Sequence, residues 1–129
     1  MSTLFTKIVN REVPAHIVAE NDTCLAFLDI MPLTRGHVLV ITKKEIDYIF
    51  DVEDSLLAEL MSFSKKVAIQ IKKAFPCEKV GLSVVGLEVP HVHIHLIPIN
   101  NVSDMNFSKE KLKLTNEELA KIALKIKNA

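Results

Sequence analysis

Residues 91–97 read His91-Val92-His93-Ile94-His95-Leu96-Ile97. In a β-strand successive side chains point to opposite faces. His91, His93 and His95 therefore share one face, and Val92, Ile94 and Leu96 share the other. The apolar face is a packing surface for a helix. The imidazole face has no such use. Three polar rings, each about 7 Å from the next along a strand, make a poor core and an unusual solvent surface. The histidines are read as an active centre.

Two chemistries use such a face. Imidazole is a common metal ligand, and a His-x-His strand with a third donor is a workable zinc site. Alternatively, a neutral imidazole is a nucleophile towards phosphorus, while neighbouring rings donate hydrogen bonds to phosphoryl oxygens and the leaving group. Metal sites recruit carboxylates or thiolates and outer partners. The nearest carboxylate, Glu88, lies three residues before His91, across Pro90. Spacing alone leaves both chemistries open.

Outward from this strand the periodicity sets the fold. Lys79–Val85 reads as a strand preceding Val92–Ile99. Upstream of both, Leu56, Leu57, Leu60, Phe63, Val67, Ala68, Ile71 and Phe75 recur every three or four residues. They mark one long amphipathic helix, with Asp51 expected as its N-cap and Pro76 as its stop. Ile17–Glu20, Cys24–Asp29 and His37–Thr42 are β-rich runs, the first two separated by Asn21-Asp22. Together they predict an antiparallel meander. Leu4–Val9 is a short segment in which Pro14 breaks any helix that begins. Thr115 with Glu118 forms a capping box for a last helix running towards Lys127. The expected architecture is α+β: a mostly antiparallel five-stranded sheet, one long covering helix and short terminal helices.

The chain has 129 residues, the size of one domain spanning 1–129. Sixteen Lys and Arg balance sixteen Asp and Glu, which gives no support for bulk binding to nucleic acid or an anionic membrane. No apolar run approaches the roughly 18 residues of a membrane span, and the N-terminus lacks the apolar core of a signal peptide. Cys24 and Cys77 form no CxxC pair and are expected as free thiols. A cytoplasmic location follows as the expectation. His16 reads as a surface residue.

The run His91–Ile97 is similar to the signature of the histidine triad family, in which histidines and apolar residues alternate. Phe5–Pro14 resembles the N-terminal segment of its Hint branch. Cys24–Ile30 resembles its nucleoside-contacting strand, and Gly36–Ile41 the strand that carries its fourth functional histidine. The resemblance ends near residue 100.

It implies a homodimer whose two five-stranded sheets join. It also implies hydrolysis or transfer at the α-phosphate of a purine nucleotide through a nucleotidyl-histidine intermediate, with no cofactor. By position, His93 resembles the nucleophile, His95 and His37 the residues that contact phosphate or assist the leaving group, and His91 a positioning member. Asp29 is placed on the ribose, where a carboxylate accepts hydrogen bonds from two hydroxyls. Phe5, Ile8, Phe27 and Ile30 are placed around the base, although each is equally well explained as core.

The sequence departs from the family pattern at two places. Many relatives hold a structural zinc through a CxxC, a histidine and the first triad histidine. Here Thr3, Thr6 and Glu45 stand at the first three of those positions, so no zinc of this type is expected. Relatives also carry a Gly-rich loop with a Gln-Ser or Gln-Thr pair that contacts phosphate. Here Val84–Pro90 is shorter, with Leu87 and Glu88 in place of the pair. Glu88 is either a solvated loop carboxylate or a group that orients a histidine or a hydrolytic water. Three functions compete at this point. The first is a nucleotidyl hydrolase or transferase, the second a purine-nucleotide-binding module with little turnover, and the third a histidine-based metal protein.

Overall fold

The computed structural model describes residues 2–129. Helix α1 (Leu4–Val9) precedes strands β1 (Ile17–Glu20), β2 (Cys24–Leu28) and β3 (Val38–Thr42). A 3-10 turn, Ile49–Asp51, leads into helix α2 (Asp54–Ala74), then strands β4 (Lys79–Ser83) and β5 (His93–Ile99). A second 3-10 turn, Val102–Met105, and helix α3 (Asn116–Lys127) complete the chain. The five strands form one sheet in the order β1-β2-β3-β5-β4, with every pair antiparallel. The expected meander is β1-β2-β3; β5 inserts between β3 and the edge strand β4. No helix among the described residues is long and apolar enough to cross a membrane.

Both faces of the sheet are covered. This explains why Cys24–Leu28 and Val38–Thr42 are apolar at nearly every position and buried throughout. On one face α2 contributes Leu60, Phe63, Val67 and Ile71, and α3 contributes Leu119, Ile122 and Ile126, against Val38, Val40, Ile94 and Leu96. On the other, Phe5 and Ile8 of α1 pack over Leu25, Phe27, Leu39 and Ile41. The histidine face is thus a second, smaller core beneath α1, and His91, His93 and His95 are all buried within it. Sequence reasoning gave that face no covering element.

Several boundaries move for local reasons. Asp51 is not the N-cap of α2; it ends the 3-10 turn, and Glu53 holds the cap position without a side-chain bond. Between them Val52, 5 % exposed and extended, turns inward and separates turn from helix. Helix α1 stops before Pro14 can act. Arg11 adopts the left-handed conformation (φ 63), and the Glu12 and Val13 N–H groups both bond the Lys7 carbonyl. Strand β4 ends at Ser83, paired with His95, so Val84 and Val85 belong to the loop. Val92 precedes β5 and bonds the Ile46 carbonyl instead. The Thr115–Glu118 capping box is present as expected. Cys24 and Cys77 are free. His16 is half-buried, its Nε2 2.8 Å from Asn116 Oδ1.

Candidate active site

Gly36 admits the chain to β3 with φ +97, a backbone angle that glycine adopts without steric cost. A side chain there would meet Phe75 at 3.0 Å and Pro98 at 3.1 Å. This turn delivers His37. The register pairs Leu39 with His95 and Ile41 with His93, which brings the His37 ring beside His95: His37 Nε2 lies 3.0 Å from His95 Nδ1.

The partners of each imidazole fix its tautomer. The Leu33 N–H donates to His37 Nδ1 at 3.0 Å, so neutral His37 carries its proton on Nε2 and donates it to His95 Nδ1. His95 in turn carries its proton on Nε2. His91 lies within 2.7 Å of the Thr42 carbonyl through Nε2, which makes that nitrogen the donor. Its Nδ1 then accepts from the Thr3 hydroxyl at 2.9 Å. His93 Nδ1 is 2.8 Å from the His91 carbonyl oxygen and donates to it. In the neutral ring this tautomer puts the lone pair on Nε2, the arrangement a nucleophile requires.

Burial keeps the supporting rings neutral. It pushes His37 down to about 3, reinforced by His95 and Lys111. It pushes His95 down to about 4, reinforced by His93. His91 is also lowered by burial, against the opposing pull of the Thr42 carbonyl and Glu45. Asp29 moves the other way, since burial raises its carboxyl while the Met31 N–H, 2.9 Å from Oδ1, works against the rise.

Two lobes of one cleft meet at Asp29, Glu88, His93 and His95. The apolar lobe, about 280 Å³, is lined by Phe5, Ile8, Phe27, Ile30 and Leu39. Phe5, Ile8 and Phe27 are each at most 6 % exposed, so they serve core and cleft at once, whereas Ile30 is exposed at the mouth. Phe5 meets Phe27 edge-on at 5.4 Å and His93 at 5.0 Å. The second lobe, about 360 Å³, adds Met31, Leu87, Phe107 and Lys111. Phe107 and Lys111 were not foreseen: a lone aromatic and a lysine in a polar tail carry no periodic or motif signal. Glu88 is exposed on the rim, and no hydrogen bond joins it to a histidine among the described residues.

Neither metal reading fits the donors. Asp29, His37 and His95 place ligand atoms within 4.8 Å of one another. However, Leu33 occupies His37 Nδ1 and the proton resides on Nε2, so His37 has no free lone pair to offer. At the family's zinc position, Thr6 Oγ1 donates to Glu45 Oε1 (2.7 Å), the Thr3 N–H donates to the same oxygen (2.8 Å), and the Thr3 hydroxyl bonds His91. Neutral hydroxyls are poor substitutes for zinc-binding thiolates. The four groups form a closed hydrogen-bonded knot between α1 and the triad.

Comparison with known proteins shows the family of the chain. The HIT domain family model matches residues 10–102. An uncharacterised HIT-like protein of Borreliella burgdorferi is 33 % identical over 95 % of this chain and 94 % of its own length. The adenosine 5'-monophosphoramidase hnt1 of Schizosaccharomyces pombe is 32 % identical, covering 93 % of this chain and 97 % of that protein. Among solved structures, a Hit-like protein of Bartonella henselae involved in cell-cycle regulation superposes with a TM-score of 0.85 at 30 % identity, over 98 % of this chain and 95 % of that one. With two histidines of the triad on β5 and His91 just before it, His37 at the head of β3 and this breadth of similarity, the chain belongs to the HIT family.

Proposed function

We propose that the protein hydrolyses or transfers at the α-phosphate of a purine nucleotide conjugate, of phosphoramidate or dinucleoside-polyphosphate type, through a covalent nucleotidyl intermediate on His93. The observation that carries this reading is the His93 Nδ1 contact with the His91 carbonyl, which leaves the Nε2 lone pair beside a cleft of nucleotide dimensions. Nε2 attacks phosphorus, and the bond to the leaving group breaks. The leaving atom departs with the electron pair and takes a proton from water. A water oxygen then attacks the same phosphorus, the P–N bond breaks, its electron pair returns to Nε2 and the water proton passes to solvent. His95, donating through Nε2 and aligned by His37, stabilises charge on a phosphoryl oxygen. The apolar lobe receives the base, and Asp29 at its neck the ribose hydroxyls. The phosphoramidase relative of fission yeast supports the enzyme reading over a binding module.

The reading includes a homodimer and a cytoplasmic setting, in which two free thiols are at home. Strand β4 is an open sheet edge carrying exposed Leu82, followed by exposed Val85 and Leu87, with Tyr48 and Phe50 exposed nearby. Pairing β4 with a second copy covers these groups and continues the sheet.

The deciding experiment is mass spectrometry of the intact protein after brief mixing with an AMP-donating substrate. One added AMP, lost on further incubation, is the expected result. Binding with neither adduct nor turnover would establish the module reading instead.

A further inference from the structure

Nearly all of the segment after β5 lies beyond residues 10–102, the part that the HIT domain model matches, yet it reaches the site. Asp104 fixes its start by accepting from the Asn100 and Asn101 N–H groups at 2.8 and 3.1 Å. The turn that follows closes through Lys109 N–H to the Asn106 carbonyl (3.1 Å), and Leu112 N–H ties the far end to Pro32 (2.9 Å). Fastened at both ends, the segment presents Phe107 and Lys111 to the cleft. The Phe107 ring packs edge-on against His95 at 4.8 Å. The half-buried Lys111 ammonium donates to the Phe107 and Lys109 carbonyls and lines the second lobe.

Carbonyls orient an ammonium but leave its charge intact, and a third N–H remains for a ligand. Among the described residues Lys111 forms no ion pair. The only other charged groups around this lobe outside the histidines are Asp29 and Glu88, and both repel an anionic substrate. If the apolar lobe holds the nucleoside, the adjoining lobe, which shares His93 and His95 with it, is left for what departs. We infer that Lys111 is a specificity-determining residue, which binds an anionic group, phosphate or carboxylate, on the leaving side of the nucleotide conjugate. This assignment rests on the function proposed above. Phe107 supports it by holding the His95 side of the lobe closed.

The test compares wild type, Lys111→Met and Lys111→Arg on three AMP conjugates. These are the unsubstituted phosphoramidate, the phosphoramidate of glycine, and ADP, whose leaving group is inorganic phosphate. In Lys111→Met, kcat/KM for an anionic conjugate relative to the unsubstituted one falls roughly tenfold, the worth of one charge-assisted hydrogen bond. Lys111→Arg restores most of that ratio. A fall confined to ADP or to the glycine conjugate identifies the anion as phosphate or carboxylate. Ratios that stay at the wild-type value overturn the assignment, including when all three rates drop together through a loosened segment. The same ratios, measured as dissociation constants by calorimetry in a His93→Ala background, do not depend on turnover. A wild type that turns over nothing therefore counts against the hydrolase, while the affinities still decide Lys111.

Discussion

The imidazoles of His37 and His95 touch across neighbouring strands, Nε2 to Nδ1 at 3.0 Å. The contact is one-directional, because the Leu33 N–H occupies the other nitrogen of His37. A backbone amide in the loop before β3 thereby sets the proton position on a ring of β5. Replacing His37 with Ala leaves the Leu33 N–H and His95 Nδ1 without partners in a buried site. The expected cost is about 1–3 kcal/mol of stability for each group, read from denaturant unfolding, together with loss of rate. A variant as stable and as fast as wild type would remove the relay from the mechanism.

His93→Ala is expected to abolish turnover and the nucleotidyl adduct while retaining the fold and part of the nucleotide affinity. The ring makes its buried bond only to the His91 carbonyl, and the apolar lobe remains. Wild-type turnover in this variant would end the covalent proposal.

The buried histidines make stability depend on acid. His37 and His95 are held neutral, at about 3 and about 4, against 6.5 for the free side chain. Between those values and 6.5 the unfolded chain binds protons that the folded chain refuses, so stability falls as pH drops. It is complete above about pH 6.5 and declines from there towards 4 and then 3. Asp29, raised by burial, titrates in the opposite sense and offsets part of the loss at the acid end. Unfolding midpoints measured from pH 8 to pH 4 should decline below 6.5, and a flat profile contradicts the neutral assignment.

Light scattering at micromolar concentration should give twice the chain mass of 14.5 kDa. A charge placed on the β4 edge, Leu82→Lys, should shift the population towards the single chain, because an inserted charge blocks edge pairing. A wild-type mass of one chain at those concentrations refutes the dimer.

Glu88→Gln separates the two roles that the sequence allowed for this carboxylate. An orienting base loses roughly a factor of 10² in rate on neutralisation. Glu88 is exposed on the rim and bonds no histidine among the described residues, so a rate within about twofold of wild type, or slightly above it, is expected. A hundredfold loss would show that Glu88 swings in when substrate binds.

Much of this was legible in the residues because it rests on short-range periodicity. The alternation over 91–97 places three rings on one face, and the α2 stripe assigns the opposite face to the long helix. What could not be read was which elements return to cover the rings. Helix α1 is only six residues long, too short for an amphipathic signature to announce that Phe5 and Ile8 lie over the histidine face. The segment bearing Phe107 and Lys111 has no period, and its path is set by a few hydrogen bonds, accepted by Asp104 and Asn106 and donated by the Leu112 N–H. The N-cap moved from Asp51 because one buried valine outweighed a favourable capping residue.

The knot of Thr3, Thr6, Glu45 and His91 has one further consequence. A helix clamped to the triad by thiolates and zinc depends on metal supply and on reduced cysteines, and chelators or oxidants release it. Here the clamp contains nothing that a chelator can strip or an oxidant can bridge. Its weak point is instead the Glu45 carboxylate, held low by the Thr3 N–H and the Thr6 hydroxyl. The α1 wall of the apolar lobe is therefore independent of metal supply and of thiol oxidation, and acid rather than a chelator or an oxidant is what loosens it.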